Sequence, residues 1–187
     1  MSTKVEATIE DLYKVEGKAE LVNGEIVQMV GTGGLPHYAA REIIVSLAAY
    51  EKTIRTGYAI ADNAVFVVNL PNRRSFSPDA GFYVGDITMK FFQGAPVFAV
   101  EVRSENDYGP RAERQMAQKR EDYFAAGTLV VWNVDLLSED VVRVYRSSDP
   151  QRAKIYRKGQ TAEAEPAVPG WTMLVDDLFP EHSQTNL

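Results

Sequence analysis

The run Pro-Val-Phe-Ala-Val-Glu-Val-Arg at 96–103 constrains this chain more than any other stretch. Its apolar character is nearly continuous, which suits a strand covered on both faces. Strand geometry puts Val97, Ala99, Glu101 and Arg103 on one face and Phe98, Val100 and Val102 on the other. Glu101 therefore sits where its neighbours predict burial, and a buried carboxylate is costly unless it is paired or bound to a metal. The plainer account of the same residues is a strand-end ion pair between Glu101 and Arg103 that faces water and is worth little.

The chain around this strand alternates between short β segments and two helices. Residues 18–29 alternate about Asn23-Gly24, a dipeptide suited to a two-residue hairpin turn. After the Gly31-Thr32-Gly33-Gly34 loop, Pro36 suits the first turn of a helix carrying Ala40, Ile43, Ile44 and Leu47 at helical spacing, expected to run to about Arg55 and stop near Gly57. Segments 58–60 and 64–69, separated by Asp62-Asn63, read as a second hairpin. A strand at 79–84 and the strand at 96–104 follow. Pro110 then opens a second helix, which ends at Gly127. TLVVWNVD at 128–135 reads as another buried strand, and 141–145 with 153–157 as a last hairpin. The predicted class is α/β (α+β), one domain over 1–187 with a mixed central sheet, two flanking helices and additional hairpins.

Composition removes several function classes. The chain has no Cys, which excludes disulfides, zinc-thiolate sites, iron–sulfur clusters and thiol nucleophiles. Twenty Lys and Arg against 26 Asp and Glu give a net charge of −6, which argues against coating nucleic acid by bulk attraction but leaves room for a local basic cleft. The longest apolar stretches, such as 95–100 and 129–132, fall far short of the ~20 residues that cross a bilayer, so no membrane role is expected. Residues 1–11 lack the apolar segment of a secretory signal, and a cytoplasmic location is the expectation.

Three polar residues stand where a purely structural sequence would carry something apolar. Asp79 follows Pro78 at a strand opening, where a turn role is the ordinary alternative. Glu101 is the second. The third is Lys119, which shares one helix face with Ala112, Met116 and Tyr123 and so interrupts an apolar stripe, unless it snorkels past it. The helix of Lys119 connects the strand of Glu101 to the strand at 128–134, so the three can converge. Two carboxylates at an open site make a seat for Mg²⁺, which prefers oxygen ligands and keeps several waters. A neighbouring lysine would position or activate the attacking water and stabilise a phosphorane-like state. Metal-assisted phosphodiester hydrolysis is the chemistry such a set serves.

Weaker candidates are His37, at the start of the first helix, and Glu20 and Glu25 on the first hairpin, where solvated carboxylates are the simpler reading. Asp176-Asp177 reads as a solvated turn. Arg143, Arg146, Arg152, Lys154, Arg157 and Lys158, interleaved with Tyr145 and Tyr156, could follow a nucleic-acid backbone or form a solvated hairpin face. The Gly31 to Gly34 loop lacks the lysine of a phosphate loop and reads as a flexible helix entry.

Pro78-Asp79, Glu101-Val102-Arg103-Ser104, Lys119 with Tyr123 four residues on, and Val130-Val131-Trp132-Asn133-Val134-Asp135 together resemble the Uma-two family of restriction-endonuclease-like proteins, which is abundant in cyanobacteria. Glu20-Leu21-Val22-Asn23-Gly24-Glu25 is similar to that family's opening hairpin, and Gly33-Gly34-Leu35-Pro36-His37 to its Gly-rich loop. The resemblance covers about residues 10–180. It implies a PD-(D/E)XK nuclease fold that binds Mg²⁺ or Mn²⁺ and acts on DNA, commonly as a homodimer. It also implies that Asp79 is the first acid, Glu101 the second and Lys119 a lysine displaced to the following helix, with the backbone carbonyl of Val102 completing the metal site. Two positions depart from the pattern. Arg103 stands where the superfamily carries lysine, and arginine stays charged and cannot act as a base. Gln115 stands where an acid often precedes the lysine by four residues. These departures and the net acidity motivate the alternatives: a catalytically degenerate scaffold that binds nucleic acid or a protein partner, or an intact metal site used on a small phosphoester.

Overall fold

A computed structural model describes residues 5–181. In chain order the elements are α1 (Ile9–Leu12), β1 (Ala19–Val22), β2 (Glu25–Gln28), α2 (Gly34–Ile54), β3 (Tyr58–Ala61), β4 (Phe66–Val67), β5 (Ser75–Phe76), β6 (Ala80–Tyr83) and β7 (Phe92–Gln93). There follow β8 (Phe98–Val102), α3 (Pro110–Ala125), β9 (Val130–Val134), β10 (Val142–Arg146), β11 (Asp149–Tyr156), β12 (Thr161–Glu163) and β13 (Thr172–Leu174), closed by a 3₁₀ turn at Val175–Leu178.

The central sheet has six strands in the order β11-β10-β9-β8-β6-β3. It is mixed: β8 and β9 run parallel, with Glu101 opposite Asn133, and the other neighbours are antiparallel. A parallel neighbour needs a long crossover, and α3 supplies it between β8 and β9. The alternation read from the sequence divides the two layers. Phe98, Val100 and Val102 join Val130, Trp132 and Val134 in a core closed by Ala39, Ile43 and Leu47 of α2. Ala99 and Val131 face the opposite way, against Tyr123 of α3 and the aromatic residues Phe66 and Phe76.

Local signals account for the ends of the elements that hold the site. Asn23 (φ 50°) and Gly24 (φ 71°) both take the left-handed region, as a tight turn matched to the strand twist requires, and join β1 to β2. Pro110 occupies the first turn of α3 after Gly109, where its missing N–H costs nothing. At the end of α2 it is Arg55, not Gly57, that adopts the left-handed conformation (φ 57°). Gly57 serves a different need, because a Cβ there would lie 2.6 Å from both the Phe82 ring and the Tyr83 carbonyl oxygen.

One expected pairing is corrected. Asp62-Asn63 does turn the chain, with Asn63 at φ 65°, but the segments on either side do not form a hairpin. β3 pairs with β6 in the central sheet, whereas β4 pairs with β5 and β7 in a small three-stranded sheet. Alternation tells a strand which face to bury and not which neighbour to take; here Phe66, Phe76 and Phe92 gather in the layer on the α3 side and carry β4 away from β3.

Candidate active site

Asp79 lies immediately before β6, and its backbone is fixed to β8 by the bond from Asp79 N to the Val100 carbonyl (3.0 Å). Its side chain reaches the same strand, where Oδ2 accepts the Val102 N–H at 2.7 Å. Because Arg103 N–H points the other way, to the Val134 carbonyl of β9, the Val102 carbonyl must face the edge that carries Asp79. Glu101 projects from β8 toward α3, where Lys119 Nζ lies 2.7 Å from its Oε1 and the Tyr123 hydroxyl donates to the same oxygen at 2.7 Å. Among the described residues no donor meets Glu101 Oε2. Asp79, Glu101 and Lys119 thus converge with the Val102 backbone on one cleft of about 550 Å³, whose outer wall is the β1–β2 hairpin.

Four further residues build the site, Lys18, Glu20, Arg73 and Asp122, of which the sequence offers only Glu20, and that as a solvated carboxylate. Lys18, just before β1, places Nζ 2.6 Å from Asp79 Oδ1 and 2.7 Å from Asp62. Glu20 is a correction: instead of a solvated hairpin carboxylate it is 3% exposed. Its Oε1 takes Lys119 at 2.8 Å and the Ser77 N–H at 2.8 Å, and its Oε2 takes Arg73 at 2.6 Å. Arg73 in turn holds Asp122 of α3 at 2.8 Å, and Asn72 and Gln118 donate to the other Asp122 oxygen. Lys119 is therefore fixed between two carboxylates, one of which is braced from behind by a buried arginine.

The electrostatics separate the two acids. Burial raises the Glu101 carboxyl above the usual carboxylate range, and the nearby Asp79 and Glu20 charges add to this against the pull of Lys119 and Lys18. Burial acts in the same direction on Glu20, but Lys119 and Arg73 outweigh it and hold that carboxyl low. Burial disfavours the Lys119 ammonium, yet Glu101 and Glu20 more than offset this and keep it charged. Lys18 is likewise held as a cation despite its burial, chiefly by Asp79 and Glu101. Burial beside Glu101 pushes the Tyr123 phenol well up, which keeps it a neutral donor. Glu101 is thus the acid whose burial its lysine neighbours do not fully offset.

Among the described residues no three His, Cys, Asp or Glu side chains form a metal cage. The donor set is smaller: Asp79, Glu101 and the Val102 carbonyl. All are hard oxygens on one edge, and Mg²⁺ is commonly held by one or two carboxylates while retaining water. Glu101 Oε1 is held by Lys119 and Tyr123 and Asp79 Oδ1 by Lys18, so a divalent ion fits this donor set through the Glu101 Oε2 and the Val102 carbonyl, with Asp79 joining as Lys18 gives way.

Several candidates lie elsewhere. His37 is exposed on the first turn of α2, its N–H bonded to the Gly33 carbonyl, and does not line the cleft. Glu25 is exposed on β2, outside the cleft lining. Arg103 lines the cleft, but β8 ends at Val102 and the guanidinium turns to a bidentate pair with Glu113. Asp176 caps the Gly159 N–H within the C-terminal turn. The basic hairpin is not one face: Arg146 and Lys154 pair with Glu163, Arg157 with Asp140, and Lys158 lies over Phe179. Among the described residues no helix is long and apolar enough to cross a membrane.

Comparison with known proteins agrees with this architecture. The family model Uma2, described as "Putative restriction endonuclease", matches residues 7–176. The crystal structure of "a putative nuclease belonging to DUF820" from Anabaena variabilis ATCC 29413 superposes with a TM-score of 0.73 at 19% identity, covering 92% of this chain and 97% of that one, and so shares its fold. A search of the curated proteins found no match.

Proposed function

The chain belongs to the Uma2 family of restriction-endonuclease-like proteins, and from that premise we propose that it hydrolyses DNA phosphodiester bonds with Mg²⁺ or Mn²⁺ held by Asp79, Glu101 and the Val102 carbonyl. The observation that carries this reading is the meeting, on one cleft, of a carboxylate driven into a buried strand and a charged lysine from the next helix, 2.7 Å apart. The net reaction joins a water oxygen to phosphorus and breaks one P–O ester bond, leaving a phosphomonoester and a free hydroxyl. A bound divalent cation would polarise the phosphoryl oxygen and make its water a stronger nucleophile. Lys119, held as an ammonium by Glu20 and Glu101, stabilises the negative charge that grows on the phosphoryl oxygens. Tyr123 fixes the Glu101 rotamer through Oε1 and leaves Oε2 as the oxygen that a cation would take. Lys18 fixes Asp79 in the same way.

Arg103 supports this reading over a degenerate scaffold. Its commitment to Glu113 and its position 3.7 Å from Asp135 take it out of the lysine's role, which supports Lys119 as the residue that fills it. Cutting both strands of a duplex would use two copies, so a homodimer acting in the cytoplasm is part of the proposal.

The test is calorimetric titration of Mg²⁺ and Mn²⁺ into wild type and into the Asp79→Ala, Glu101→Ala double variant, with plasmid cleavage assayed on the same samples. Metal binding and cleavage are expected to disappear together. Lys119→Met is expected to keep metal binding and lose about 10²–10³ in cleavage rate. Wild-type protein that binds neither ion and leaves plasmid intact would overturn the reading.

A further inference from the structure

A second cleft, of about 530 Å³, opens between α3 and β9–β10 and shares Arg103 and Met116 with the active-site cleft. Four arginines line it, Arg103, Arg114, Arg120 and Arg143, against two carboxylates, Glu113 and Asp135, in a chain whose net charge is −6. Glu113 is taken up with Arg103, and Asp135 is shared between Arg103 at 3.7 Å and Arg143 at 3.9 Å. The charge left over is therefore positive and concentrated on Arg114 and Arg120, with Arg143 held only by long contacts of 3.9 Å to Asp135 and Asp140.

Arg120 is built for a ligand. Its guanidinium carbon sits over the Tyr145 ring, 3.8 Å from the centroid, and one Nη donates to Asn133 at 3.0 Å. Its Nε is buried without any hydrogen-bond partner, as is the Nε of Arg103. The Arg103 Nε lies 3.7 Å from Asp135 and the Arg120 Nε is closed to solvent, so what the cleft offers a ligand is the guanidinium edge of Arg120 beyond its bond to Asn133. A stacked, planar guanidinium is the side chain best matched to the oxygens of a phosphate.

The sheet register aligns this cleft with the reaction site. Glu101 lies opposite Asn133, and Asn133 opposite Arg143, so acid, amide and arginine form one row across β8, β9 and β10. At about 4.8 Å per strand the row spans ~10 Å from Glu101 to Arg143, short enough for both ends to meet nearby phosphates of one strand. Resting on the nuclease reading of the first cleft, we infer that the Arg120–Arg143 cleft is a phosphate subsite that grips the backbone of the same strand at a phosphate close to the bond at Glu101.

The test is fluorescence anisotropy with a labelled single-stranded DNA of about 20 nucleotides in EDTA, where no cleavage occurs, read across a salt series. Wild type, Arg120→Gln and Arg143→Gln are compared after circular dichroism shows each folded, with inorganic phosphate as a competitor. Each substitution is expected to weaken binding by about tenfold and to flatten the slope of log K against log salt by about 0.7, the loss of one phosphate contact. Unchanged affinity and slope in both variants would overturn the subsite, as would wild type that binds no DNA. Loss of phosphate competition in the variants with oligonucleotide affinity intact would also overturn it, by assigning the cleft to a free anion. Plasmid cleavage on the same proteins separates the two readings: Arg120-dependent DNA binding without any cleavage supports the subsite and removes the nuclease.

Discussion

The two faces of β8 were built by one alternating run of residues, and they solve opposite problems. Toward α2, Phe98, Val100 and Val102 enter a core of aromatic and aliphatic side chains in which Phe98, Trp132 and Trp171 stand 5.1–5.6 Å apart. Toward α3, Glu101 enters a cluster of charge: Lys119, Glu20, Arg73 and Asp122 run in a chain of ion pairs of 2.6–2.8 Å. Apolar burial contributes stability without direction. A buried ion network contributes little net stability, because desolvation offsets its attraction, but it fixes where each charge points. The α2 face therefore holds the sheet together, and the α3 face holds Lys119 in place.

The sharpest way to break this division is on the apolar side. Trp132 is 1% exposed and its indole N–H is satisfied by the Glu163 carbonyl at 3.0 Å. Trp132→Ala is expected to cost about 3–5 kcal/mol in urea unfolding; a loss below about 1.5 kcal/mol would mean that this face is not where stability resides. On the charged side, removing one partner should be nearly as damaging. Arg73→Met strands Glu20 and Asp122, both buried, and is expected to cost about 3 kcal/mol. Neutralising those partners as well, with Glu20→Gln and Asp122→Asn, should restore most of it. Failure of that rescue would show that Arg73 acts through its packing over Phe76 (4.9 Å) rather than through charge.

How far these faces can be read from sequence follows the same line. Local periodicity placed Glu101 away from the α2 core and set Lys119 and Tyr123 on one helical face, and their meeting follows because α3 must cross between adjacent parallel strands. The hairpin at Asn23-Gly24 is equally legible, since its turn chemistry lies within two residues. The bracing network is not. Arg73 meets Glu20 and Asp122 across 53 and 49 residues, and Lys18 meets Asp79 across 61. Such pairs depend on how the hairpin and the segment before β5 are laid against the sheet, and no spacing encodes that. Arg103 shows the limit of alternation itself: the face assigned to it lapses one residue after Val102, where the strand ends and Glu113 becomes the nearer partner.

Glu101 sharpens the comparison in the opposite direction. Burial, Asp79 and Glu20 raise its folded carboxyl above the ordinary range, so the folded state binds that proton more tightly than the unfolded chain. The sign follows: ionised Glu101 costs stability above that range, and the cost is relieved as pH falls through the raised value. Glu101→Gln removes the charge while keeping the shape, and Lys119 still has Glu20 at 2.8 Å. It is expected to raise stability by about 0.5–2 kcal/mol while cleavage is lost, the pattern of a site kept for function at the expense of the fold. Equal or lower stability in thermal melts near neutral pH would place Glu101 among the stabilising charges.

The smallest expected effect separates the hairpin from both faces. β1 delivers Lys18 and Glu20 to the charged side, yet its own apolar residues, Ala19 and Leu21, pack with Leu12 of α1 in a small core apart from the α2 face. Asn23 holds φ 50° at the tip, where an alanine pays the left-handed penalty of roughly 1–2 kcal/mol and asparagine much less. Asn23→Ala should therefore cost about 1 kcal/mol, and native-state hydrogen exchange should show it as faster opening of β1 and β2 alone. Exchange in β8 and β9 should not change, because neither strand pairs with the hairpin. If the amides of β9 opened along with it, the braces from Glu20 through Arg73 to Asp122 would be coupling the hairpin to the sheet as one cooperative unit, and the charged face would carry stability as well as aim.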